Sequence, residues 1–597
     1  MSHFPPLAGS DAAEQHVRRL DEEYQNLVAQ LNSLTSRMVA NRESVNSLAP
    51  ISTLPTELLV HIFSFLSPSR RSDIKHFEDV IPAETYLAWR YWINVTHTCA
   101  HFRRVSIGDP SLWTVIYCRL GPEWTNLMLS RSRSLPVSVA FEHTNIRVGR
   151  SSFFPVCSEP RVSLIAAHRA HIKALRVNAQ ILATDFKFTW MLERLHGDFP
   201  LLEKLELYGQ PGSTENEIVR IPMQYFQGMP ALKELTLDNI VPSWSPSTPF
   251  AFSHLTTFDL GVGNPDEDDI FLDPGALPGE QAVHRSQLFP TLPQLLDVLE
   301  TMPLLEDLSI HETLPEMDTM DPLGEPNRKV NLPRLKELVL SGFMRNCTLL
   351  AEHLDFPHTT RVSLSGNDLE DSGDDFPAIG RVLTRHFARQ VSASRAVSNM
   401  GIIIRATALT LSIQVDSKPI WNLNVDCNLH EDGLELQFLR NAFATMPVGE
   451  NASFDVVIDW GSETWNADII EDLFRQPSLA TVSSVAVCGN TLYPLCPALL
   501  RPVYDIQLGE HPLPDRLRAL NVLPGLRDVI IMNVSCIDSG ENERALLRDE
   551  IINVIRERKP RGTPLQKVMF LDYGSAANLE WLQSLKAVFP EIISWAS

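Results

Sequence analysis

The sequence predicts an α+β fold class, with an all-α N-terminal part followed by a C-terminal α/β solenoid. Three observations lead to this prediction: an apolar heptad pattern near the N-terminus, a strongly apolar helical segment after it, and repeated units ending in x-L-x-L through the rest of the chain. At 597 residues the chain is too long for one compact core, since single domains usually hold about 100–200 residues.

The charge, the cysteines and the hydropathy of the sequence argue against several classes of protein. The formal net charge is -22, which argues against nucleic acid and anionic membrane surfaces as partners, because both usually require a Lys/Arg-rich face. The eight cysteines are scattered and form no C-x-x-C pair, so we expect reduced thiols rather than a disulfide framework. The N-terminus lacks a signal-peptide pattern, and no apolar run reaches membrane-spanning length. We therefore expect a cytoplasmic or nuclear protein.

The first predicted element is a long helix over residues 11–49, preceded by a disordered segment over 1–10. Its apolar positions alternate steps of three and four, the spacing of a coiled-coil seam: Val17, Leu20, Tyr24, Leu27, Leu31, Leu34, Met38, Val45 and Leu48. Asn41 takes the remaining seam position, and an Asn there often fixes register and oligomer number. A parallel dimer through residues 11–48 is one interpretation, and an amphipathic helix docked on its own chain is the other.

The second predicted element is a short, strongly apolar helix. Thr53 or Thr56 can cap its start, and Pro55 suits the first turn of a helix. Apolar residues then follow at helical spacing: Leu58, Leu59, Ile62, Phe63 and Leu66. Because the stripe is wide, either the rest of the domain or a partner must cover it.

Residues 50–115 resemble an F-box domain in three ordered blocks. The first block follows the pattern L-P-x-E-L-L-x-x-I-F-x-x-L and matches it at Leu54, Pro55, Glu57, Leu58, Leu59, Ile62, Phe63 and Leu66. The second block spans 99–105, and the third, P-S-L-W, resembles a closure found in many fungal F-box proteins. The link between the first two blocks, about 67–95, is longer than in the family.

The resemblance implies an adaptor without catalytic activity of its own. F-box domains bind Skp1, which joins them to a cullin in an E3 ubiquitin ligase. The eight matched residues of the first block would form the Skp1 contact, while Cys99, Phe102 and Trp113 would belong to the F-box core. The other interpretation of the first block is a core helix of an all-α domain that has no such partner.

An irregular repeat over 161–597 predicts the solenoid, after a linker or first solenoid elements at 116–160. The fullest units read F/M/L-P-x-L-x-x-L-x-L and include 229–237, 302–310 and 332–340. This pattern resembles a leucine-rich repeat, in which x-L-x-L forms a short strand and the preceding leucines pack into the core. Ordinary βα units are the alternative.

The spacing of the repeats leaves room for helices between the strands. The step from Leu205 to Leu235 is 30 residues, which predicts helices around 186–195 and 292–300. Acidic insertions near 241–287 and 366–376 interrupt the repeat and are expected to be exposed loops. A protein substrate is expected on the solenoid or against these loops.

Motifs that would indicate an enzyme are weak. His97 and His101 have a spacing that can ligate zinc on a helix, but no third ligand follows, so a structural role is favoured. Asp371 and Asp538 each begin a D-S-G triplet, which is also common in turns. We therefore predict no cofactor, no metal and no catalytic residue. A repeat scaffold without a ligase role is the alternative function, and an enzyme ranks third.

Overall fold

The computed structural model describes eighteen segments of the chain, and the description below concerns these residues. They are 10–66, 93–118, 121–141, 159–178, 188–209, 219–244, 252–262, 289–314, 328–367, 375–392, 396–405, 408–426, 434–458, 467–488, 492–500, 522–532, 541–571 and 576–596. Contacts divide the chain into two compact units, one comprising 1–176 with 194–202 and the other 177–193 with 203–597. Among the described helices, none is long and apolar enough to cross a membrane.

Several sequence predictions fall outside the described residues. These are the disordered segment apart from Ser10, most of the link at 67–95, and most of the acidic insertions at 241–287 and 366–376. Asp371 and Asp538 also lie there. The domain boundaries proposed from the sequence remain predictions.

The first unit is mainly helical. Its strands β1 and β2 pair in parallel, and 3-10 turns precede α2 and β1. The elements are α1 (Ser10–Ser47), α2 (Thr56–Leu66), α3 (93–98), α4 (Ala100–Gly108), β1 (Val115–Tyr117), α5 (Pro122–Ser132), β2 (Val137–Phe141) and α6 (Glu159–Ala167). The chain passes between the units at three points: within β3 (Ile172–Asn178), within α7 (Phe188–Leu195), and between Leu202 and Glu203.

Helix α1 runs for 38 residues without a break. The nine apolar seam residues are all exposed, from 52% for Leu20 to 82% for Leu48. No part of the chain that the structure describes covers this stripe, so docking of α1 on its own chain finds no support here. Pairing with another helix remains a prediction.

The second unit begins with six parallel strands whose registers align the repeat units. They are β4 (Lys204–Tyr208), β6 (Glu234–Asp238), β8 (Thr257–Gly261), β9 (Asp307–His311), β11 (Glu337–Phe343) and β13 (Arg361–Asn367). The second leucine of each x-L-x-L unit pairs with its counterpart, so that Leu207, Leu237 and Leu260 lie side by side. These side chains are buried, and the residues on either side of them point to the opposite face.

Short helices and strands connect these strands. Helix α8 (Leu292–Glu300) begins with a capping box in which Thr291 and Gln294 bond reciprocally, which satisfies helix N–H groups that would otherwise lack acceptors. The helix predicted around 292–300 is therefore present, as is α7. The other elements are β5 (Val219–Pro222) paired with β7 (Ile240–Ser243), β10 (Val330–Asn331) paired with β12 (Leu354–Asp355), and α9 (Met344–His353).

An antiparallel meander follows, which the sequence analysis did not predict. Strand β14 (Val397–Arg405) pairs with β15 (Ala408–Val415), and β15 pairs with β16 (Lys418–Asp426), both antiparallel. Asp416 and Ser417 form the two-residue turn between β15 and β16 with φ of 53° and 61°. Positive φ at both central residues matches the twist of a tight hairpin, so the chain reverses here.

The remaining strands resume the parallel pattern beyond the meander. In the sheet, β13 pairs with β16, and β14 pairs with β17 (Val448–Ile458), both in parallel. The rest of the sheet is β18 (Ser484–Cys488), β19 (Asp528–Met532), β20 (Lys567–Leu571) and β21 (Ile593–Ala596). The accompanying helices are α10 (Asp375–Ser392), α11 (Leu434–Thr445), α12 (Ala467–Phe474), α13 (Leu492–Leu500), α14 (Glu541–Arg558) and α15 (Ala576–Val588). N-terminal helices and a large mixed sheet with helices give the α+β class.

A buried arginine joins α14 to the chain before β19. Arg558 is fully buried, and its guanidinium donates to the carbonyl oxygens of Val522 at 2.9 Å, Leu523 at 2.8 Å and Thr563 at 3.2 Å. Burial, with the charge of Arg561, lowers the pKa of Arg558 to about 10, so the group is still charged at neutral pH. The side chain supplies donors that these buried carbonyls need.

We expect Arg558→Met to lower the free energy of unfolding by about 2–4 kcal/mol, because it leaves three carbonyl oxygens without this donor. Chemical denaturation of the full chain measures the effect. Arg548→Met is the matched control, since Arg548 lies in the same helix with its side chain 39% exposed. Equal stability of the two variants would contradict the structural role of Arg558.

Candidate functional site

The first block of the F-box-like segment forms a 3-10 turn followed by α2. The 3-10 turn at Pro50–Thr53 ends at Leu54, whose backbone is extended. The carbonyl of Pro55 accepts the N–H groups of Leu58 at 3.0 Å and Leu59 at 3.1 Å, which starts the helix. Glu57 lies in the first turn, where a negative charge stabilises the helix dipole. Leu54 is half-buried, whereas Pro55 and Glu57 are exposed.

One side of α2 belongs to the domain core. Leu59 is 0% and Phe63 is 2% exposed. The Phe63 ring packs edge-on against Phe102 of α4, with centroids 5.2 Å apart. Leu59 and Phe63 are two of the residues that the sequence analysis assigned to the Skp1 contact. In the structure both are buried inside the domain, and the Skp1 contact itself remains a prediction.

The other side of α2 is an apolar patch open to solvent. We call it the α2 patch; its members are Leu58, Ile62, Phe65 and Leu66, which are 49%, 38%, 57% and 46% exposed. Three of the four were predicted as contact residues. Phe65 was not among the predicted residues, although its spacing of three from Ile62 and seven from Leu58 places it on this face. His61 lies edge-on to Phe65 at 4.9 Å.

The predicted F-box core residues support the helices behind this patch. Cys99 is the N-cap of α4, and its Sγ accepts the N–H of Phe102 at 3.4 Å. Trp113 is fully buried, and its Nε1 donates to the carbonyl of Ser106 at 2.7 Å. The guanidinium of Arg131 lies 4.2 Å from the Trp113 ring centre, a favourable cation–π distance. Trp113 therefore joins α4 to α5.

The histidines of this segment do not form a metal centre. His97 is exposed and His101 half-buried, and their helices are separated at Cys99, the cap of α4. Within the described residues, no group of three or more His, Cys, Asp or Glu side chains could hold a metal ion.

A second pair of histidines lies after α6. The rings of His168 and His171 pack edge-on with their centres 5.1 Å apart. Burial, and to a smaller extent the charge of His168, lowers the pKa of His171.

A second surface lies on the parallel sheet of the second unit. The strand residues that alternate with the buried leucines are half-buried, and we call this surface the open face. Its central row, aligned by register, is Glu206, Thr236, Asp259, Ser309, Val339 and Ser363. Desolvation, with a smaller effect of Glu206, raises the pKa of Asp259 to about 6.

A serine, a histidine and an aspartate lie next to each other on the open face. Nδ1 of His311 is 2.9 Å from Oγ of Ser341, and Nε2 of His311 is 4.0 Å from Oδ1 of Asp259. A catalytic triad needs a hydrogen bond between base and carboxylate, and 4.0 Å is too long for one. The His311 and Asp259 side chains are also 41% and 37% exposed. The three side chains therefore do not have the geometry of a catalytic triad.

A cavity of about 610 Å³ lies beside α10 in the second unit. Two arginines that line it are engaged in hydrogen bonds within the fold. Arg381 donates to Glu352 at 2.7 Å, and Arg385 donates to the carbonyls of Ala351, Glu352 and Leu354. These bonds satisfy carbonyls at the C-terminal end of α9, which helix bonding leaves open. The arginines therefore join α10 to α9.

Asp259→Asn should change the pH dependence of stability. Because the folded protein holds the Asp259 proton more tightly than the unfolded chain, wild-type stability falls as pH rises from about 4 through 6. We expect the Asn variant to be more stable than wild type at pH 7.5 by roughly 1 kcal/mol, a value reduced for solvent screening. Denaturation at pH 4 and 7.5 measures this. Asp198→Asn, at an exposed position, is the control, and equal effects of both variants at pH 7.5 would contradict the prediction.

Comparison with known proteins agrees with the geometry of the first unit. A family model described as F-box-like matches residues 51–119, the segment that contains α2, α3, α4 and Trp113. No curated protein matches the chain. The chain therefore carries an F-box-like domain near its N-terminus. This match supports the prediction of an F-box protein.

Proposed function

We propose that the protein is the substrate-recognition subunit of a Skp1–cullin–F-box E3 ubiquitin ligase. The observation that carries the proposal is the α2 patch, an exposed apolar surface in a domain whose family generally binds Skp1. Adjacent apolar side chains at helical spacing are the kind of surface that a partner covers. Leu54 and Pro55 start the same helix and extend the predicted contact.

The α2 patch accounts for part of the expected affinity. Each of its four side chains is about half exposed. Covering the exposed part would contribute about 1 kcal/mol for each side chain. Association itself costs at least about 4 kcal/mol. A stable complex therefore requires further contacts, which the rest of the F-box-like domain would supply.

We further propose that the second unit is an irregular leucine-rich-repeat solenoid of the fungal F-box type. The parallel, in-register strands of the x-L-x-L units support this, because units that stack strand beside strand bury a continuous core. The meander at β14–β16 would be an insertion into the array. A protein substrate would bind the open face, where most of the central side chains are polar and partly exposed. No catalytic step is assigned to the chain, and the compartment would be the cytoplasm or nucleus.

A scaffold without a ligase role is the second candidate function. It would use the same open face but would leave the α2 patch without a Skp1 partner. Reconstitution of the full chain with Skp1 and a cullin separates the two functions.

Binding of purified Skp1 to the full chain tests the proposal. We expect Leu58→Asp/Ile62→Asp to weaken binding at least about 100-fold, because the double variant removes apolar contact and places two carboxylates against an apolar surface. Both residues are exposed, so the fold should survive, and circular dichroism checks it.

Leu546→Asp is the matched control, since Leu546 is 59% exposed on α14 in the other unit. It should bind Skp1 like wild type. A folded wild-type chain that does not bind Skp1 would overturn the ligase proposal and favour the scaffold.

A further inference from the structure

Helix α1 carries a self-complementary surface. The seam from Val17 to Leu48 spans more than four heptads, and sustained heptads over three or four indicate a coiled coil. At 1.5 Å per residue, this seam is about 47 Å long. The structure leaves its apolar residues at least half exposed, whereas the apolar stripes of the described sheet strands are buried.

We propose that α1 pairs with α1 of a second copy of this chain, in antiparallel orientation. Counting Val17 as heptad position a places Leu20 at d, and the alternation continues to Leu48 at d. In an antiparallel pair each a residue faces a d residue of the other helix. The seam closes on itself along the helix, because Leu20 meets Val45 and Leu31 meets Leu34 in one register.

Charge at the flanking positions selects this orientation. In a parallel pair, Arg37 at position g faces Arg42 at position e of the second copy. By symmetry this repulsive contact occurs twice in the dimer. In the antiparallel pair, Asp21 at e faces Arg42 at e of the second copy, and symmetry gives two opposite-charge contacts. Charges at e and g set the orientation of coiled coils, so they favour the antiparallel pair.

The polar seam residue fits the same register. Asn41 faces Tyr24 of the second copy in the antiparallel pair, so its amide lies beside a phenol that can donate and accept a hydrogen bond. In the parallel pair two Asn41 side chains would meet at a d layer. The symmetric arrangement makes a closed two-fold dimer, in which the same patch serves both copies.

The oligomeric state of the full chain tests the pairing. Analytical ultracentrifugation should show a dimer for wild type and a monomer for Leu27→Glu/Leu34→Glu, which places four carboxylates in the seam of a pair. Val39→Glu is the matched control: Val39 is 51% exposed on the same helix but lies off the seam at position b, so this variant should remain dimeric. A monomeric wild type at tens of micromolar, or equal dissociation of the control, overturns the proposal.

The orientation has its own test. Arg42→Glu should weaken the antiparallel dimer about three- to tenfold through repulsion with Asp21, given the strength of exposed ion pairs. Asp21→Arg/Arg42→Asp should restore it. A parallel dimer would instead tighten with Arg42→Glu, through attraction to Arg37, and that result would overturn the orientation. Neither outcome depends on Skp1 binding, so this proposal fails or stands separately from the proposed function.

Discussion

The parallel register of the strands in the second unit is the constraint on which the rest of that unit depends. Because Leu207, Leu237 and Leu260 align, these strands bury the same alternate positions. Each repeat therefore covers the apolar side chains of its neighbours. The same alternation leaves the other positions on the open face. A shift of one residue in any strand would place leucines outside and carboxylates inside, so the core and the polar surface are fixed together.

Helix α2 likewise has a buried side that packs in the domain and an exposed side for which we propose a partner. Leu59 and Phe63 anchor the helix against α4, and this anchoring determines that Leu58, Ile62 and Phe65 face solvent. The buried pair therefore holds the helix in place, and the exposed set forms the surface available to a partner. This division explains why the first F-box block combines two kinds of residue: some make the domain, and others form the surface that we propose for Skp1.

Sequence patterns predicted the features that depend on local spacing. The strands at the x-L-x-L ends and the helix at 292–300 follow from apolar periodicity alone. The meander was missed because Asp416 and Ser417 are a weak hairpin signal beside the usual Asn-Gly or Asp-Gly. The approach of His311 to Asp259 was also beyond the sequence, since it arises only when β8 and β9 pair. Long-range register, rather than composition, creates that site.

The orientation of α1 affects how two F-box-like modules would be arranged. In an antiparallel pair the C-terminal ends of the two seams lie about 47 Å apart, and each leads directly into its own α2. A parallel pair would place both starts of α2 within about 10 Å, the usual distance between packed helices, where two bound Skp1 molecules would compete for space. The antiparallel pair therefore permits both α2 patches to be occupied at once. If both proposals hold, the dimer has room for two Skp1 molecules, one on each α2 patch.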